Sequence, residues 1–256
     1  CRSIFKRFSS VFFNKPYDNG NVNIARIADS FLALTETPLP FEFDPKTLES
    51  LGVFNFHDKI NGQITTAHPH YDFENKESFN YVTNMGKSSH YDFYKIPDGK
   101  AERDIIASIP VKYPAYMHSF ALTKNYIVLA QYPYRVNPLK LLLRSKPFIE
   151  NFSWEPKEGT AFIVISRKTG QLAGKYESSA FFAFHHVNAY EDENKVVLDI
   201  VSYEDASIIK SFYLDVLAGN FSEKYRDSRI TRFVINLKNK SVDSFALSDG
   251  SPELPR

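Results

Sequence analysis

The sequence predicts an all-β fold, and among all-β folds a β-propeller. Three observations lead there. Aromatic residues make up 15% of the 256 residues, with 23 Phe and 15 Tyr, and ring-bearing side chains favour strands. Strand–turn–strand units recur along the whole chain. Helical patterning is confined to two short stretches.

The hairpins follow in chain order. Phe41-Glu42-Phe43 runs into the turn Asp44-Pro45-Lys46-Thr47 and a second strand over 48–51. The strand at 91–96 turns at Pro97-Asp98-Gly99-Lys100 and continues through Ile105, Ile106 and Ile109. Phe162-Ile163-Val164-Ile165 turns at 166–170 into a strand from Leu172, and the strand at 233–237 turns at 238–241 into one from Val242. Pro, Asp, Asn and Gly occupy the turns because they accept the tight backbone angles there. The units repeat every 50 to 70 residues or so, as blades of four short strands with long connections would. A β-sandwich also repeats hairpins; the hairpins favour the propeller without excluding it.

Two insertions read as helical. Residues 137–145 carry Leu139, Leu141, Leu142 and Leu143, and residues 205–219 carry Ile208, Ile209, Phe212 and Leu214. A buried insertion helix is the commoner form of such a segment. The first is also flanked by Arg135, Lys140, Arg144 and Lys146, the pattern of a surface that touches a membrane.

Formal charge is +1, from 31 Lys and Arg against 30 Asp and Glu, so a nucleic-acid partner is not expected. The single cysteine, Cys1, permits no intrachain disulfide and reads as an intracellular, cytoplasmic chain. No run approaches the ~18 apolar residues of a membrane span. The chain opens on Cys1 and stops after Pro252-Glu253-Leu254-Pro255-Arg256, which reads as an internal fragment forming one partial domain over 1–256.

Seven histidines are present, and three groups stand out. They are Thr66-Ala67-His68-Pro69-His70, Tyr116-Met117-His118-Ser119-Phe120 and Phe184-His185-His186-Val187-Asn188. Equivalent positions on successive blades converge on a propeller axis, and neutral imidazoles gathered there suit iron, copper, zinc or nickel. His185 and His186 would face opposite sides of a regular strand, and Pro69 disturbs the strand between His68 and His70. The residues alone therefore leave open which member of each pair serves, and which metal. A hydrogen-bonded core histidine remains the alternative for each.

Six strings make the chain similar to the carotenoid cleavage oxygenases, in family order and over nearly its whole length. They are Leu34-Thr35-Glu36-Thr37-Pro38, Phe43-Asp44-Pro45-Lys46-Thr47-Leu48, Thr66-Ala67-His68-Pro69-His70, the run 116–123, the run 184–191 and Glu253-Leu254-Pro255-Arg256. The resemblance implies a seven-bladed propeller, of which this chain holds roughly the middle half, with one Fe(II) held on the axis by four histidines. It assigns three ligands to His68, His118 and His185 and places the fourth outside this chain. It implies carboxylates at Glu36, paired with His118, and at Glu253, paired with His185, each fixing an imidazole tautomer. It implies an oxygenase that cleaves a conjugated C=C bond of a carotenoid or other polyene with O2 to give carbonyl apocarotenoids such as retinal. Aromatic candidates for a substrate tunnel are Phe120, Tyr132, Trp154, Phe181 and Phe182, whose ring faces could steady a cationic intermediate. Stilbene- or apocarotenoid-cleaving relatives, a non-catalytic lipid-binding propeller and a zinc hydrolase are the alternative readings.

Overall fold

The computed structural model describes residues 20–141, 146–220 and 227–248, together with Gly250, Pro252 and Glu253. Cys1, the segment 142–145 with Leu142, Leu143 and Arg144, and residues 254–256 lie outside the described residues.

Four antiparallel meanders form in succession. Blade 1 is β1 (Asn23–Ile27), β2 (Ser30–Leu34), β3 (Phe41–Phe43) and β4 (Ser50–Val53), in that order. In blade 2 the inner edge is split into β5 (Ile64–Thr65) and β6 (His70–Asp72), both paired to β7 (Glu77–Asn84), with β8 (His90–Pro97) and β9 (Asp104–Pro110) outside. Blade 3 is β10 (Ala121–Leu122), β11 (Tyr126–Gln131), β14 (Thr160–Ser166) and β15 (Leu172–Ser178). Its β11–β14 connection carries a small hairpin, β12 (Tyr134–Arg135) with β13 (Ser153–Trp154), and a short helix, α1 (Pro138–Leu141). Blade 4 is β16 (Phe182–Asp192), β17 (Lys195–Tyr203), β18 (Ser228–Asn236) and β19 (Ser241–Ala246).

Four separate sheets in chain order are the blades of a propeller, not the two facing sheets of a sandwich. The hairpins read from the sequence are the outer pairs β3–β4, β8–β9, β14–β15 and β18–β19. Middle strands such as β14 and β17 are buried along nearly their whole length. They are therefore continuous apolar runs. Outer strands such as β19 are mostly exposed.

The outer edges of the first three blades share a defect. Register slips by one residue opposite Glu42/Phe43, Phe93/Tyr94 and Val164/Ile165, leaving Leu51, Ile106 and Ala173 without a partner. Such bulges add local twist. The Ile106 bulge turns its carbonyl toward blade 3, where Gly170 sits at φ +68° and a Cβ would overlap that oxygen.

The second expected helix is broken. Residues 206–212 form a 3-10 helix (Ala206–Phe212), started by Asp205 accepting from the Ser207 N–H at 2.7 Å. Tyr213 is extended, at φ −73° and ψ 142°. A π-type turn follows over Val216–Asn220, with Gly219 at φ 132°. The apolar spacing suggests one helix over 205–219; the extended Tyr213 instead separates two short pieces. Of the first expected helix, only α1 falls among the described residues.

Two predictions follow from this packing. Gly170→Ala is expected to destabilise the protein by at least ~1–2 kcal/mol from the left-handed backbone alone, read as a lower urea midpoint. The second concerns Asp58, buried with Arg103 at side-chain exposures of 8% and 5%. Arg103 donates Nε–H to Asp58 at 2.9 Å and Nη2–H at 2.6 Å, with its guanidinium 4.3 Å from the Phe56 ring centre. Burial alone would raise the Asp58 carboxyl, but the Arg103 bonds and the Arg103 and Ile60 amides outweigh it and hold it below its ordinary value. A carboxyl depressed in the folded state stabilises above its unfolded pKa and loses that contribution as pH falls through the folded value. Arg103→Met is expected to cost about 3 kcal/mol at pH 7, where it strands a buried carboxylate, and clearly less near pH 3. Equal losses at both pH values would rule this account out.

Candidate metal centre

Each of the three grouped histidines leaves the regular ladder at the inner edge of its blade. In blade 2, residues 66–69 stand opposite only Asn80 and Tyr81, between the pairs Thr65↔Val82 and His70↔Phe79. Pro69 cannot donate to a ladder, and the Asn80 side chain takes up the freed Thr66 carbonyl at 2.9 Å. The excursion carries His68 away from the sheet. In blade 3, His118 precedes β10. In blade 4, register jumps from Ala183↔Ser202 to His186↔Ile200, so Phe184 and His185 oppose Val201 alone. Bulges re-aim side chains, and this one turns His185 toward the other two.

The three rings meet edge to face. Centroids are 4.7 Å apart for His68–His118, 5.3 Å for His68–His185 and 5.0 Å for His118–His185, with interplanar angles of 62°, 86° and 87°. One nitrogen from each lies within 4.8 Å of the other two, and His68 Nε2 is 2.9 Å from His118 Nε2.

Two carboxylates stand behind this cluster. His118 Nδ1–H donates to Glu36 at 2.7 Å, and His185 Nδ1–H donates to Glu253 at 2.6 Å. Each carboxylate also takes a phenol: Tyr116 donates to Glu36 at 2.7 Å and Tyr203 to Glu253 at 2.6 Å. Burial, and then the Glu36 charge and hydrogen bond, push the Tyr116 phenol well above its ordinary value. Burial, followed by the Glu253 hydrogen bond, does the same for Tyr203. Both phenols therefore remain donors. With Nδ1 protonated, His118 and His185 each present an Nε2 lone pair.

The second histidine of each pair goes elsewhere. His70 Nε2–H donates to the Phe120 carbonyl at 2.8 Å, and burial lowers its pKa. His186 Nδ1 is 2.7 Å from the Ser119 hydroxyl, and burial pushes its pKa down to about 3. Its Nε2 is buried without a hydrogen-bond partner among the described residues.

The cluster opens on a recess of about 870 Å³ whose walls include Tyr116, Phe120, Phe184 and Phe212. Among the described residues its lining holds Glu36 and Glu253 and no Lys or Arg. A cation fits this donor set: lone pairs converge, their tautomers are fixed from behind, and the surrounding charge is negative. Imidazole nitrogens suit iron, copper, zinc and nickel alike.

Of the expected tunnel aromatics, Phe120 lines the recess. The others do not. Tyr132, Phe181 and Phe182 pack in the core, where Tyr132 lies 5.3 Å from Phe181 and Phe181 stacks on Phe233 at 4.6 Å. Trp154 packs partly buried against the same core from β13. The run Phe181-Phe182-Ala183-Phe184 looked uniform in sequence, and only Phe184, next to the bulge, reaches the recess. Tyr116, Tyr203 and Phe212 were missed. Tyr116 carried a readable signal, two residues before His118; Tyr203 and Phe212 carried none.

The chain matches the family model described as retinal pigment epithelial membrane protein (RPE65) over residues 2–256. It is 32% identical to the β,β-carotene 15,15'-dioxygenase of Gallus gallus, over 93% of this chain and 50% of that protein. It is 33% identical to the mitochondrial carotenoid-cleaving dioxygenase of Macaca fascicularis, over 85% of this chain and 42% of that protein. The chain thus spans about half the length of the curated relatives it matches. In fold it is similar to a lignostilbene dioxygenase of Pseudomonas brassicacearum (TM-score 0.74, 23% identity, 92% of this chain and 49% of that one). It is equally similar to an apocarotenoid oxygenase of Synechocystis (TM-score 0.74, 22% identity, 93% and 51%). With four propeller blades, a three-histidine cluster at their inner edge and a match along nearly its whole length, the chain belongs to the retinal pigment epithelial membrane protein family of carotenoid oxygenase relatives.

Proposed function

We propose that the chain supplies most of the metal site of a non-haem Fe(II) dioxygenase that cleaves a conjugated C=C bond of a carotenoid, giving aldehyde or ketone apocarotenoids. The observation that carries this reading is the convergence of three imidazoles, two of them with carboxylate-fixed tautomers, on the wall of a recess that aromatic rings also line. The names of the relatives point to the same chemistry. The four blades are read as one partial domain.

When bound, the iron supplies the redox chemistry that activates O2 for addition across the alkene. His68, His118 and His185 hold it. Glu36 and Glu253 keep His118 and His185 in the tautomer that presents Nε2, with Tyr116 and Tyr203 anchoring those carboxylates. Phe120 and Phe184 give the polyene an apolar, flat-sided wall that keeps water from the reacting bond, and Phe212 stands at its exposed edge.

Membrane contact is part of the proposal. Phe212 reaches the recess and is itself 60% exposed, and Leu214 and Leu217 beyond it are 84% and 62% exposed. Leu139 and Phe148 are also exposed, and Glu150, beside Phe148, interacts with Tyr213. These apolar side chains frame an entry at which a polyene could pass from a bilayer of the cell interior. Among the described residues no helix is long and apolar enough to cross a membrane.

The test is metal analysis of the anaerobically purified full-length protein, followed by β-carotene turnover with chromatography of the products. About one iron per chain is expected, as a single four-histidine site implies, with an apocarotenal as product. His118→Ala and His185→Ala are each expected to lose the iron and the turnover. Iron without carotenoid turnover would move the substrate to a stilbene or an apocarotenoid; no iron after reconstitution would reject the oxygenase reading. Glu36→Gln is expected to weaken metal affinity about 10- to 100-fold, measured by competition with a chelator. An unchanged affinity would remove Glu36 from the site.

A further inference from the structure

Two small hydroxyls beside the histidines take no part in the chemistry above. Thr66 is 1% exposed and Ser119 6%. Thr66 Oγ1 accepts the His68 N–H at 3.0 Å and donates to the His118 carbonyl. Ser119 follows His118 directly. Its hydroxyl donates to the Phe184 carbonyl at 2.6 Å, accepts the His186 N–H at 3.1 Å and lies 2.7 Å from His186 Nδ1.

A proton count fixes the last contact. A serine hydroxyl has one hydrogen and two lone pairs. The hydrogen goes to the Phe184 carbonyl, which cannot donate. His186 must therefore donate from both its backbone N–H and its Nδ1–H, which saturates Ser119 and leaves His186 as the Nδ1–H tautomer. Phe184 and His186 are the two residues flanking His185. One hydroxyl thus grips the peptide on both sides of a candidate ligand in the next blade. Thr66 does the equivalent one seam earlier, joining the amide of His68 to the carbonyl of His118.

We propose that Thr66 and Ser119 are positioning residues: two hydroxyl staples across successive blade seams that set the spacing of His68, His118 and His185, with His186 serving the second staple as a ring donor. The proposal rests on the metal reading of those histidines. Metal–nitrogen distances tolerate only about ±0.2 Å, and each histidine belongs to a different blade. A slip at either seam would therefore spread the donors before it unfolded anything. Neither hydroxyl is counted among the metal ligands; Ser119 borders the recess, but its hydrogen and both lone pairs are taken up by the bonds above.

The experiment uses the full-length protein stripped of metal and reloaded with Co2+. Affinity is measured by chelator competition, ligand geometry by the visible absorption at saturating Co2+, and stability by the urea midpoint of the metal-free protein. Thr66→Val keeps the shape and removes the hydroxyl; Ser119→Ala removes the other. Each is expected to weaken Co2+ binding about 10- to 100-fold and to shift the absorption band. Thr66→Ser is expected to recover most of the lost affinity. At the second seam, His186→Asn, whose amide can donate where Nδ1–H did, is expected to outperform His186→Leu, and this pair carries the comparison if Ser119→Ala does not fold. Lower urea midpoints with Co2+ affinity and spectrum unchanged would make these ordinary seam bonds and overturn the proposal. A wild-type protein that takes up no Co2+ would instead overturn the metal reading on which it rests.

Discussion

Three imidazoles from three different sheets can meet only if those sheets hold a fixed register against one another. The seams between blades are therefore where the structure places its most specific polar contacts. Between blades 1 and 2, Asn23 donates to the Ala67 carbonyl at 2.9 Å and the Thr65 N–H to the Glu36 carbonyl at 2.7 Å. Between blades 2 and 3, the fully buried Tyr81 and Tyr91 reach across: Tyr81 donates to the Met117 carbonyl, and the Tyr91 oxygen takes the Ala115 N–H and the Gln131 amide. Arg167 pairs with Asp72 over the same seam, its guanidinium 4.4 Å from the Phe79 ring centre. Between blades 3 and 4, Glu191 accepts from Thr123 at 2.6 Å and from both Asn125 donors at 2.7 Å. A buried tyrosine suits this position because its ring fills the core while its tip needs a partner. Each bond contributes only about 1 kcal/mol net, but its direction is what excludes a slipped packing.

The repeating hairpins were legible because outer strands obey local rules. Turn residues punctuate them, and their patterns need only one neighbour on each side. The choice between His185 and His186 was not legible from the residues. Strand alternation puts the two on opposite faces but does not say which face looks inward. In the structure a bulge at Phe184/His185 turns His185 toward the other two rings, and Ser119 from another blade bonds to both residues that flank it. The same limit applies to His68 and His70, which an irregular stretch separates. Family resemblance supplied the assignment that periodicity could not. Which aromatics line the recess was not legible for a related reason: Phe181, Phe182 and Phe184 are equally apolar, and only their place relative to the bulge divides core from recess.

The same local device appears twice at the cluster. Glu36 is held by Tyr116 and His118, and Glu253 by Tyr203 and His185. The details differ: Tyr116 and His118 share one Glu36 oxygen, whereas Tyr203 and His185 take separate oxygens of Glu253. In each, a phenol and an imidazole converge on one carboxylate, so neither partner can rotate without breaking a short bond. The recess can then be apolar over much of its wall while its negative charge stays at one end. That asymmetry suits an apolar ligand lying beside a cation.

Glu36 reaches His118 across 82 residues and Glu253 reaches His185 across 68. Contacts this distant in sequence close late, after the local hairpins that separate them. During synthesis the histidines are therefore scattered imidazoles with no fixed tautomer, no better than any other weak ligands for whatever ion is at hand. Only docked blades turn them into a site. On the metal reading proposed above, choice of the ion would fall to the docked blades and not to the nascent chain.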